Sequence, residues 1–255
     1  YMVVRRAGDK GAQGGDFGMR APSSLRVEDY PIMDGTASDL FPWPVVKDDA
    51  NVFGAKSVAV PGQVAGMAKA HEVFGSRPWA DLLTPAVTEA EQGLVVDWYA
   101  QLILAGAAKG LAKFPASRAT YLDEDGFPKA SAWTALGQTR CDQSALAATL
   151  DIIASRGASA FYEGSIAKSI SKDLQSSGGR HVLKDFRNYK AKIVPASEFD
   201  YIVHRIFGTP EMTAGPTLER VLHLLKAWSP KGPSPTAEDF VRLDQARRQA
   251  SIERF

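Results

Sequence analysis

The stretch Val58-Ala-Val-Pro-Gly-Gln-Val-Ala-Gly66 divides the chain into two regions of different character. The residues before it are rich in Gly, Asp and Pro, with short extended pieces at Met2–Arg5 and near Phe17. Recurrent prolines exclude long helices from this region, because proline breaks the helical hydrogen-bond pattern. After Pro61-Gly62 the sequence shows helical spacing, with Val64, Met67, Ala68 and His71 recurring at intervals of three to four residues. The sequence therefore predicts a helix from Gln63.

Apolar stripes and their boundary residues predict further helices along the chain. These are Trp79–Leu83 and Ala86–Gln92, split at Pro85 and stopped by Gly93; a longer helix from Asp97 to about Lys113; helices on the stripes Leu146–Ile153, Ile166–Leu174 and Leu218–Leu225; and a last helix opened by Thr236 behind the linker Pro230–Pro235. Extended segments are predicted at Tyr121–Gly126, Ala191–Pro195 and Tyr201–Phe207. The result is a helix-rich α+β chain. Its strands are too few for a complete sheet, so something outside the chain is expected to supply the missing ones.

Composition excludes several classes of function. The chain has 255 residues, with 30 basic against 29 acidic ones and a formal net charge of +1. Proteins that bind nucleic acids or membrane surfaces concentrate positive charge, so neither partner is expected. No apolar run approaches the roughly 20 residues that a membrane span requires. The single cysteine, Cys141, excludes an intrachain disulfide and is expected to be a buried free thiol. The compartment stays open between cytoplasm and periplasm.

The residues alone do not reveal a chemical site. Two of the four histidines, His71 and His223, lie on predicted helices, where packing or surface roles are favoured over catalysis. The sequence has no Gly-x-Ser-x-Gly nucleophile elbow, no zinc or calcium motif and no phosphate-binding glycine loop. Neither a metal nor a cofactor is therefore expected. On these grounds the chain is a helix-rich domain without an evident catalyst.

The stretch around Pro61 begins a series of sequence motifs. It is followed in order by His71-Glu-Val-Phe-Gly-Ser-Arg-Pro-Trp79, Leu82-Leu-Thr-Pro-Ala86, Phe161-Tyr-Glu-Gly-Ser-Ile-Ala167, Gly178-Gly179 and Asp185-Phe-Arg-Asn-Tyr-Lys-Ala191. In order and spacing, from about Val58 to Leu225, the series resembles the gamma-glutamyltranspeptidase family. Most of the shared Pro and Gly residues fix turns between helices. The resemblance therefore supports the fold more than the substrate.

The resemblance implies an N-terminal-nucleophile hydrolase with an α-β-β-α sandwich, in which this chain is the helix-rich large subunit. In that family one precursor cuts itself into a large and a small chain, and the new N-terminal Thr of the small chain is the nucleophile. An oxyanion hole, supplied largely by the small chain, stabilises the tetrahedral intermediate. Nothing in this sequence resembles the segment that opens the small chain. The resemblance thus implies a heterodimer with no catalytic residue in this chain, and further pairing of heterodimers stays open.

The whole chain, residues 1–255, is predicted to be a single domain. It divides into a strand and loop region with a pocket-wall segment at 1–57, a helical family core at 58–229, and a linker with a terminal helix at 230–255. The chain begins at Tyr1 without an initiator Met, and it stops inside a charged helical stretch without a cap. We interpret both ends as cut edges of a larger gene product, so that the chain is a large-subunit fragment.

One segment departs from the family pattern. True gamma-glutamyl enzymes have an Arg that holds the substrate's α-carboxylate, and alignment on Ala21-Pro22 puts Gly18 at that position, followed by Met19 and Arg20. Positions i and i+2 of an extended strand face the same way. Arg20 would then grip a carboxylate with two parallel hydrogen bonds, from a site displaced by about 6–7 Å. In the alternative, Arg20 forms a structural ion pair and the pocket has lost glutamyl selectivity.

Gly18, Met19 and Arg20 are therefore the candidate substrate-binding residues. Because Gly18 leaves a smaller wall and removes a charge, an acyl group other than glutamyl is predicted, a shorter or differently placed acid. The leading hypothesis is a self-cleaving amidohydrolase or acyltransferase that acts on the amide of a small acid. The alternative is a catalytically degenerate relative that binds acids or peptides without turnover.

Overall fold

The computed structural model of the protein describes residues 1–36, 43–130, 138–209, 213–228 and 232–254. Its helices are α1 Gln63–Phe74, α2 Trp79–Gln92, α3 Trp98–Leu111, α4 Pro115–Tyr121, α5 Ser144–Arg156, α6 Ser159–Glu163, α7 Ser165–Ser176, α8 Leu183–Arg187, α9 Gly215–Leu225 and α10 Ala237–Ile252. Its strands are β1 Met2–Val4, β2 Gln13–Asp16, β3 Ile32–Thr36, β4 Pro44–Val46, β5 Leu94–Val95, β6 Arg140–Cys141, β7 Lys192–Pro195, β8 Ser197–Tyr201 and β9 His204–Gly208. The predicted linker Pro230–Pro235 lies partly outside the described residues.

The chain forms two compact units that alternate along the sequence. The first unit comprises Tyr1–Gly18, Ala65–Val73 and Lys190–Phe255. The second unit comprises Met19–Val64 and Phe74–Tyr189. The boundary at Gly18 and Met19 falls within the segment that departs from the family pattern. A single domain over residues 1–255, with its three sequence regions, stays a prediction.

The first unit contains a three-stranded antiparallel sheet in the order β1-β2-β7, in which Gly15 of β2 lies opposite both Met2 and Ile193. Strands β8 and β9 form a separate hairpin. Helix α10 packs on α9. As predicted, α10 begins at a capping box, in which the side chains of Thr236 and Asp239 each bond the other's backbone amide.

The second unit is built mainly from helices, and its largest contact joins α2 to α5. At one end of α2 the indole Nε1 of Trp79 donates to the Ile153 carbonyl at 3.0 Å. At the other end Gly93 stops the helix with φ +79°, and a Cβ there would lie 2.6 Å from the Cys141 carbonyl. Glycine is required at this point, because both the backbone angle and the close approach exclude a side chain. Cys141 is fully buried and free, as predicted, and burial raises the pKa of its thiol.

The prediction of two short helices split at Pro85 is wrong, because α2 runs through Pro85 from Trp79 to Gln92. A proline inside a helix removes one backbone bond and strains the preceding turn, at a cost of about 3 kcal/mol. Pro85 lies on the exposed face of α2, as does Asp81, whose carbonyl loses its partner to the proline. Water can therefore solvate that carbonyl, while the packing of α2 on α5 holds the two halves in line. Tertiary contacts override the local signal here.

A second difference concerns the region around Tyr121, which was predicted to be a strand entering a turn. Tyr121 instead ends α4, whose first residue is Pro115. Proline suits the first position of a helix, because its fixed φ is helical and its missing N–H has no partner there anyway. The predicted turn does exist, since Gly126 has φ +87° and Asp123 accepts from the Phe127 amide at 2.8 Å.

Candidate substrate-binding site

Arg20 is joined to the Val58–Gly66 stretch by two backbone hydrogen bonds. The Arg20 amide donates to the Val60 carbonyl at 3.3 Å, and the Val60 amide donates to the Arg20 carbonyl at 2.8 Å. Val60 is 1% exposed, so the bridge is anchored in the core of the second unit. The predicted extended backbone at Arg20 is therefore observed, and it lies against the stretch with which the family resemblance begins.

The side chain of Arg20 is exposed and contacts an aromatic ring. Its guanidinium carbon Cζ lies over the ring of Tyr189, 5.9 Å from the ring centroid. A cation at this distance is attracted by the negative face of the ring. Tyr189 itself is 5% exposed, so a buried ring supports a charged group that faces solvent.

Tyr189 is held in turn by Tyr162. The two rings stack with centroids 5.7 Å apart and planes 10° from parallel. Tyr162 is 6% exposed, and its hydroxyl donates to the Pro61 carbonyl at 2.8 Å. Pro61 follows Val60, which pairs with Arg20, so the contacts return to their starting point. We call this closed set of contacts, made by Arg20, Val60, Pro61, Tyr162 and Tyr189, the tyrosine circuit.

Asp185 fixes the loop that follows Arg20. Its Oδ1 accepts from the Ser23 amide at 3.1 Å, and its Oδ2 accepts from the Val182 amide at 2.9 Å, at the start of α8. Burial of the carboxyl raises its pKa, but the hydrogen bonds from Ser23 and Val182 outweigh that effect and lower the pKa overall. Asp185 is thus an ionised structural anchor beside the site.

His181 is the buried histidine of this region, at 1% exposure. Burial lowers its pKa, against the opposing influence of Asp185 and of the Val58 backbone. The backbone carbonyl of His181 accepts from the Ser171 hydroxyl and from the Gln175 amide. The histidine is therefore a neutral packing residue next to Val58.

Gly18 lies in the first unit, where the ring of Tyr1 occupies the space a side chain would need. A Cβ on Gly18 would come within 2.8 Å of the Cζ atom of Tyr1. The Tyr1 ring also stacks on Phe17, with centroids 6.4 Å apart. An arginine at position 18 would therefore displace Tyr1. The expectation of a smaller wall at Gly18 stays a prediction, but the adjacent space is filled by an aromatic ring.

Phe17 explains the glycine that closes the signature stretch. In the first unit the Phe17 side chain lies directly on Gly66 of α1, and a Cβ at Gly66 would come within 2.5 Å of the Phe17 Cβ. Any larger residue at position 66 would push the Phe17–Gly18 backbone away from α1. Met19, the remaining candidate, is 78% exposed in the second unit.

The structure thus places the three candidate residues in different surroundings, and the guanidinium of Arg20 lies over the buried ring of Tyr189. Sequence analysis missed Tyr162 and Tyr189 as parts of this site, although both lie within quoted motifs. The available signal was an aromatic residue in each motif.

In the described ranges, no group of three or more His, Cys, Asp or Glu side chains is placed to hold a metal ion. Nor does any helix in the described part of the chain combine the length and apolarity of a membrane span.

Comparison with solved structures identifies the fold of the chain. The crystal structure of Helicobacter pylori gamma-glutamyltranspeptidase matches with a TM-score of 0.82 and 23% identity, covering 99% of this chain and 68% of that one. The predicted fold class, a helix-rich α+β chain of the N-terminal-nucleophile hydrolase type, is confirmed.

Comparison of sequences then identifies the family. The model of the gamma-glutamyltranspeptidase family matches residues 1–254, and the chain belongs to that family. Glutathione hydrolase 3 of Arabidopsis thaliana is 30% identical over 232 residues, covering 90% of this chain and 33% of that protein. The acylase ACY 1 proenzyme of Pseudomonas sp. (strain V22) is 32% identical over 183 residues, covering 71% of this chain and 32% of that protein. The chain spans about a third of the length of these curated relatives.

Proposed function

We propose that this chain is the large subunit of a self-cleaving amidohydrolase or acyltransferase, and that Arg20 binds a carboxylate on the acyl part of its amide substrate. The observation that carries the proposal is the geometry at Arg20. Its backbone is bonded to the signature stretch at Val60, while its guanidinium lies over Tyr189 at the protein surface. The partner is a small chain from the same precursor, and the name proenzyme borne by the acylase relative supports such processing.

The reaction follows from an N-terminal Thr on that small chain. Its hydroxyl oxygen attacks the amide carbonyl while the α-amine, or a water, takes the hydroxyl proton. The tetrahedral intermediate collapses, and the leaving amine departs with that proton, which leaves an acyl ester on the Thr. A water molecule then adds to the ester and releases the acid, or, in acyl transfer, an acceptor amine adds and the acyl group leaves as a new amide; in both cases the Thr hydroxyl is regenerated. The large subunit contributes to substrate binding in this scheme and supplies no reacting atom.

The chemistry of a guanidinium supports the role given to Arg20. Its N–H donors lie in the plane of the group and match the two oxygens of a carboxylate. The attraction to the Tyr189 ring acts on the positive charge of the guanidinium and is not a hydrogen bond. Arginine stays charged at every working pH. A carboxylate is thus the substrate group that this arrangement fits best.

An acyl group other than glutamyl is supported by two observations. Alignment on Ala21-Pro22 predicts Gly18 at the position of the family arginine, and the ring of Tyr1 fills the space beside Gly18. In addition, one relative is named a hydrolase of glutathione and the other an acylase, at similar identity to this chain. Family membership therefore leaves the acyl group open, and a carboxylate held by Arg20 is displaced along the chain from the glutamyl position.

Processing is tested on the complete precursor by intact-mass analysis and N-terminal sequencing. We expect two chains whose masses sum to the precursor, the smaller one beginning with Thr. A single mass that stays uncut for days would contradict the enzyme and favour a protein that binds acids or peptides without turnover.

The role of Arg20 is tested on the processed enzyme with oxalyl, glutaryl and glutamyl amides, which each carry a carboxylate on the acyl part, and with a neutral acyl amide. Arg20→Ala is expected to lower kcat/KM for the preferred acidic amide by roughly 10- to 100-fold, because hydrogen bonds to a charged group contribute about 1.5–3 kcal/mol. Its effect on the neutral amide should stay within about twofold. Arg26→Ala removes another exposed arginine from the same loop region and serves as the matched control. A strong preference of the wild type for the glutamyl amide would overturn the proposed acyl specificity.

A further inference from the structure

We infer that Tyr189 and Tyr162 are positioning residues, which hold the Arg20 guanidinium where it receives the substrate carboxylate. The inference rests on the proposed function of Arg20 and goes beyond it, because it assigns a specificity role to two buried residues that touch no substrate. The basis is the tyrosine circuit. Its contacts run from the Arg20 side chain through Tyr189, Tyr162 and Pro61 to Val60, which bonds the Arg20 backbone.

The first step concerns the freedom of the arginine. An exposed arginine samples many rotamers, and binding a carboxylate requires most of that freedom to be lost. Attraction to the face of Tyr189 concentrates the guanidinium near one position before the substrate arrives. A pre-ordered binding group loses less entropy on binding, so the benefit appears in substrate affinity.

The second step concerns the rigidity of the supporting ring. Tyr189 is buried and stacks on Tyr162 at an angle of 10°. Tyr162 also makes an edge contact with Phe161, with ring centroids 4.9 Å apart. Because packing restricts both rings, the ring of Tyr189 cannot tilt under the guanidinium without disturbing the core.

The third step concerns the reference frame. The Tyr162 hydroxyl bonds the carbonyl of Pro61, and the preceding residue, Val60, makes both backbone bonds to Arg20. The ring of Tyr189 and the backbone of Arg20 are therefore fixed to the same two residues of the signature stretch. Any shift of that stretch moves both together and keeps the guanidinium over the ring.

The circuit also accounts for two motifs to which the proposed catalytic chemistry assigns no role. Tyr162 comes from the motif Phe161–Ala167 and Tyr189 from the motif Asp185–Ala191. Their tyrosines meet at this one place in the second unit. The inference thus connects three sequence motifs through one binding group.

The test measures kcat and KM of the processed enzyme for an acidic and a neutral acyl amide. Tyr189→Leu keeps an apolar side chain but removes the ring, and it is expected to raise KM for the acidic amide about tenfold, with kcat nearly unchanged. Its KM for the neutral amide should stay within about twofold. Tyr189→Phe keeps the ring and should restore KM to within about twofold of the wild type. Tyr162→Phe removes only the hydroxyl that bonds Pro61 and should raise KM for the acidic amide a few-fold.

Single variants, together with the double variant of Arg20→Ala and Tyr189→Leu, separate the proposed function of Arg20 from the positioning role of the tyrosines. If Arg20→Ala lowers kcat/KM by the same factor for the acidic and the neutral amide, the proposed function of Arg20 is wrong. Suppose that Arg20→Ala lowers kcat/KM for the acidic amide alone. The tyrosines then have only a structural role if Tyr189→Leu raises KM equally for both amides, or if Tyr189→Leu raises KM for the acidic amide further when it is combined with Arg20→Ala. If Tyr189→Leu does not fold, the same comparison is made with Tyr162→Phe, for which equal effects on the two amides would overturn the inference.

Discussion

Two arginines of the second unit, Arg20 and Arg180, are held in contrasting ways. The guanidinium of Arg180 makes two hydrogen bonds with the carboxylate of Asp29, one of them between Nη2 and Oδ1 at 2.7 Å. This bonding lowers the pKa of Asp29 and raises that of Arg180. The guanidinium of Arg20 instead lies over the ring of Tyr189.

The contrast shows what each contact does with the in-plane N–H donors of an arginine. A bidentate carboxylate uses two of them, so a second carboxylate would have to compete with Asp29 for Arg180. The face of an aromatic ring attracts the guanidinium through its positive charge, not through a hydrogen bond. The bidentate contact assigns Arg180 to the structure of the loop after α7, whereas for Arg20 the binding of an external carboxylate is our proposal. Sequence alone does not distinguish the two residues.

The largest expected difference appears when each arginine is removed in turn. Arg20→Ala should reduce kcat/KM for an acidic amide by roughly 10- to 100-fold with little change in the thermal midpoint. Arg180→Ala should show the opposite pattern, a lower thermal midpoint with kcat/KM within about twofold of the wild type, because it leaves Asp29 without its partner. Asp29→Asn is the control, since it weakens the same pair from the other side. Loss of carboxylate selectivity in Arg180→Ala would break the comparison.

A smaller effect is expected on returning an arginine to the family position. Gly18→Arg alone should change kcat/KM for a glutamyl amide little, because the new side chain meets the ring of Tyr1. Combined with Tyr1→Ala, the same change should raise kcat/KM for the glutamyl amide by about tenfold, the effect of one charged hydrogen-bonding group. Tyr1→Ala alone is the control. An equal gain with and without Tyr1 would show that this ring does not restrict the position.

The sequence predicted the regular elements well where a local signal and tertiary packing agree. Asp97 caps α3 by accepting from the Ala100 amide, and Gly157 ends α5, as expected from their residue types. Pro85 shows the opposite case, in which packing of α2 on α5 overrides a reliable helix breaker. Interior proline is tolerated there because the freed carbonyl belongs to an exposed residue, which the local pattern does not reveal.

The candidate site was predicted less completely, for a physical reason. The departure at Gly18 and the extended backbone at Arg20 are local features, and the sequence indicates both. The tyrosine circuit joins residues that are far apart in the sequence, since Arg20 bonds the backbone of Val60, 40 positions away, and contacts the ring of Tyr189, 169 positions away. A single sequence has no signal for such pairings. The motifs that carry Tyr162 and Tyr189 showed that these residues matter to the family fold, but not which residues they contact.

The smallest expected effect is a fall in the stability of the protein in mild acid, which we expect to come from the region of Arg180 and not from that of Arg20. His181 follows Arg180 directly, and burial lowers its pKa below the ordinary 6.5. The unfolded chain therefore binds a proton at a higher pH than the folded chain, and acid favours unfolding. Stability should be constant above about pH 6.5 and fall below it, by at most about 1.4 kcal/mol per pH unit for one proton. Asp185, whose pKa is below the ordinary 3.8, adds a loss only in stronger acid.

Denaturant titrations between pH 7.5 and 5 measure this response, with His181→Leu as the matched variant. Whatever its absolute stability, His181→Leu should show a flatter dependence on pH in that window, because the titrating group is gone. The ratio of kcat/KM for the acidic and the neutral amide should stay constant over the same range, because neither a guanidinium nor the carboxylate of a small acid ordinarily titrates in this window. A selectivity ratio that falls in parallel with stability would mean that the Arg20 region depends on the titration of His181. An unchanged ratio would place acid sensitivity in the packing around His181 and leave carboxylate recognition independent of it.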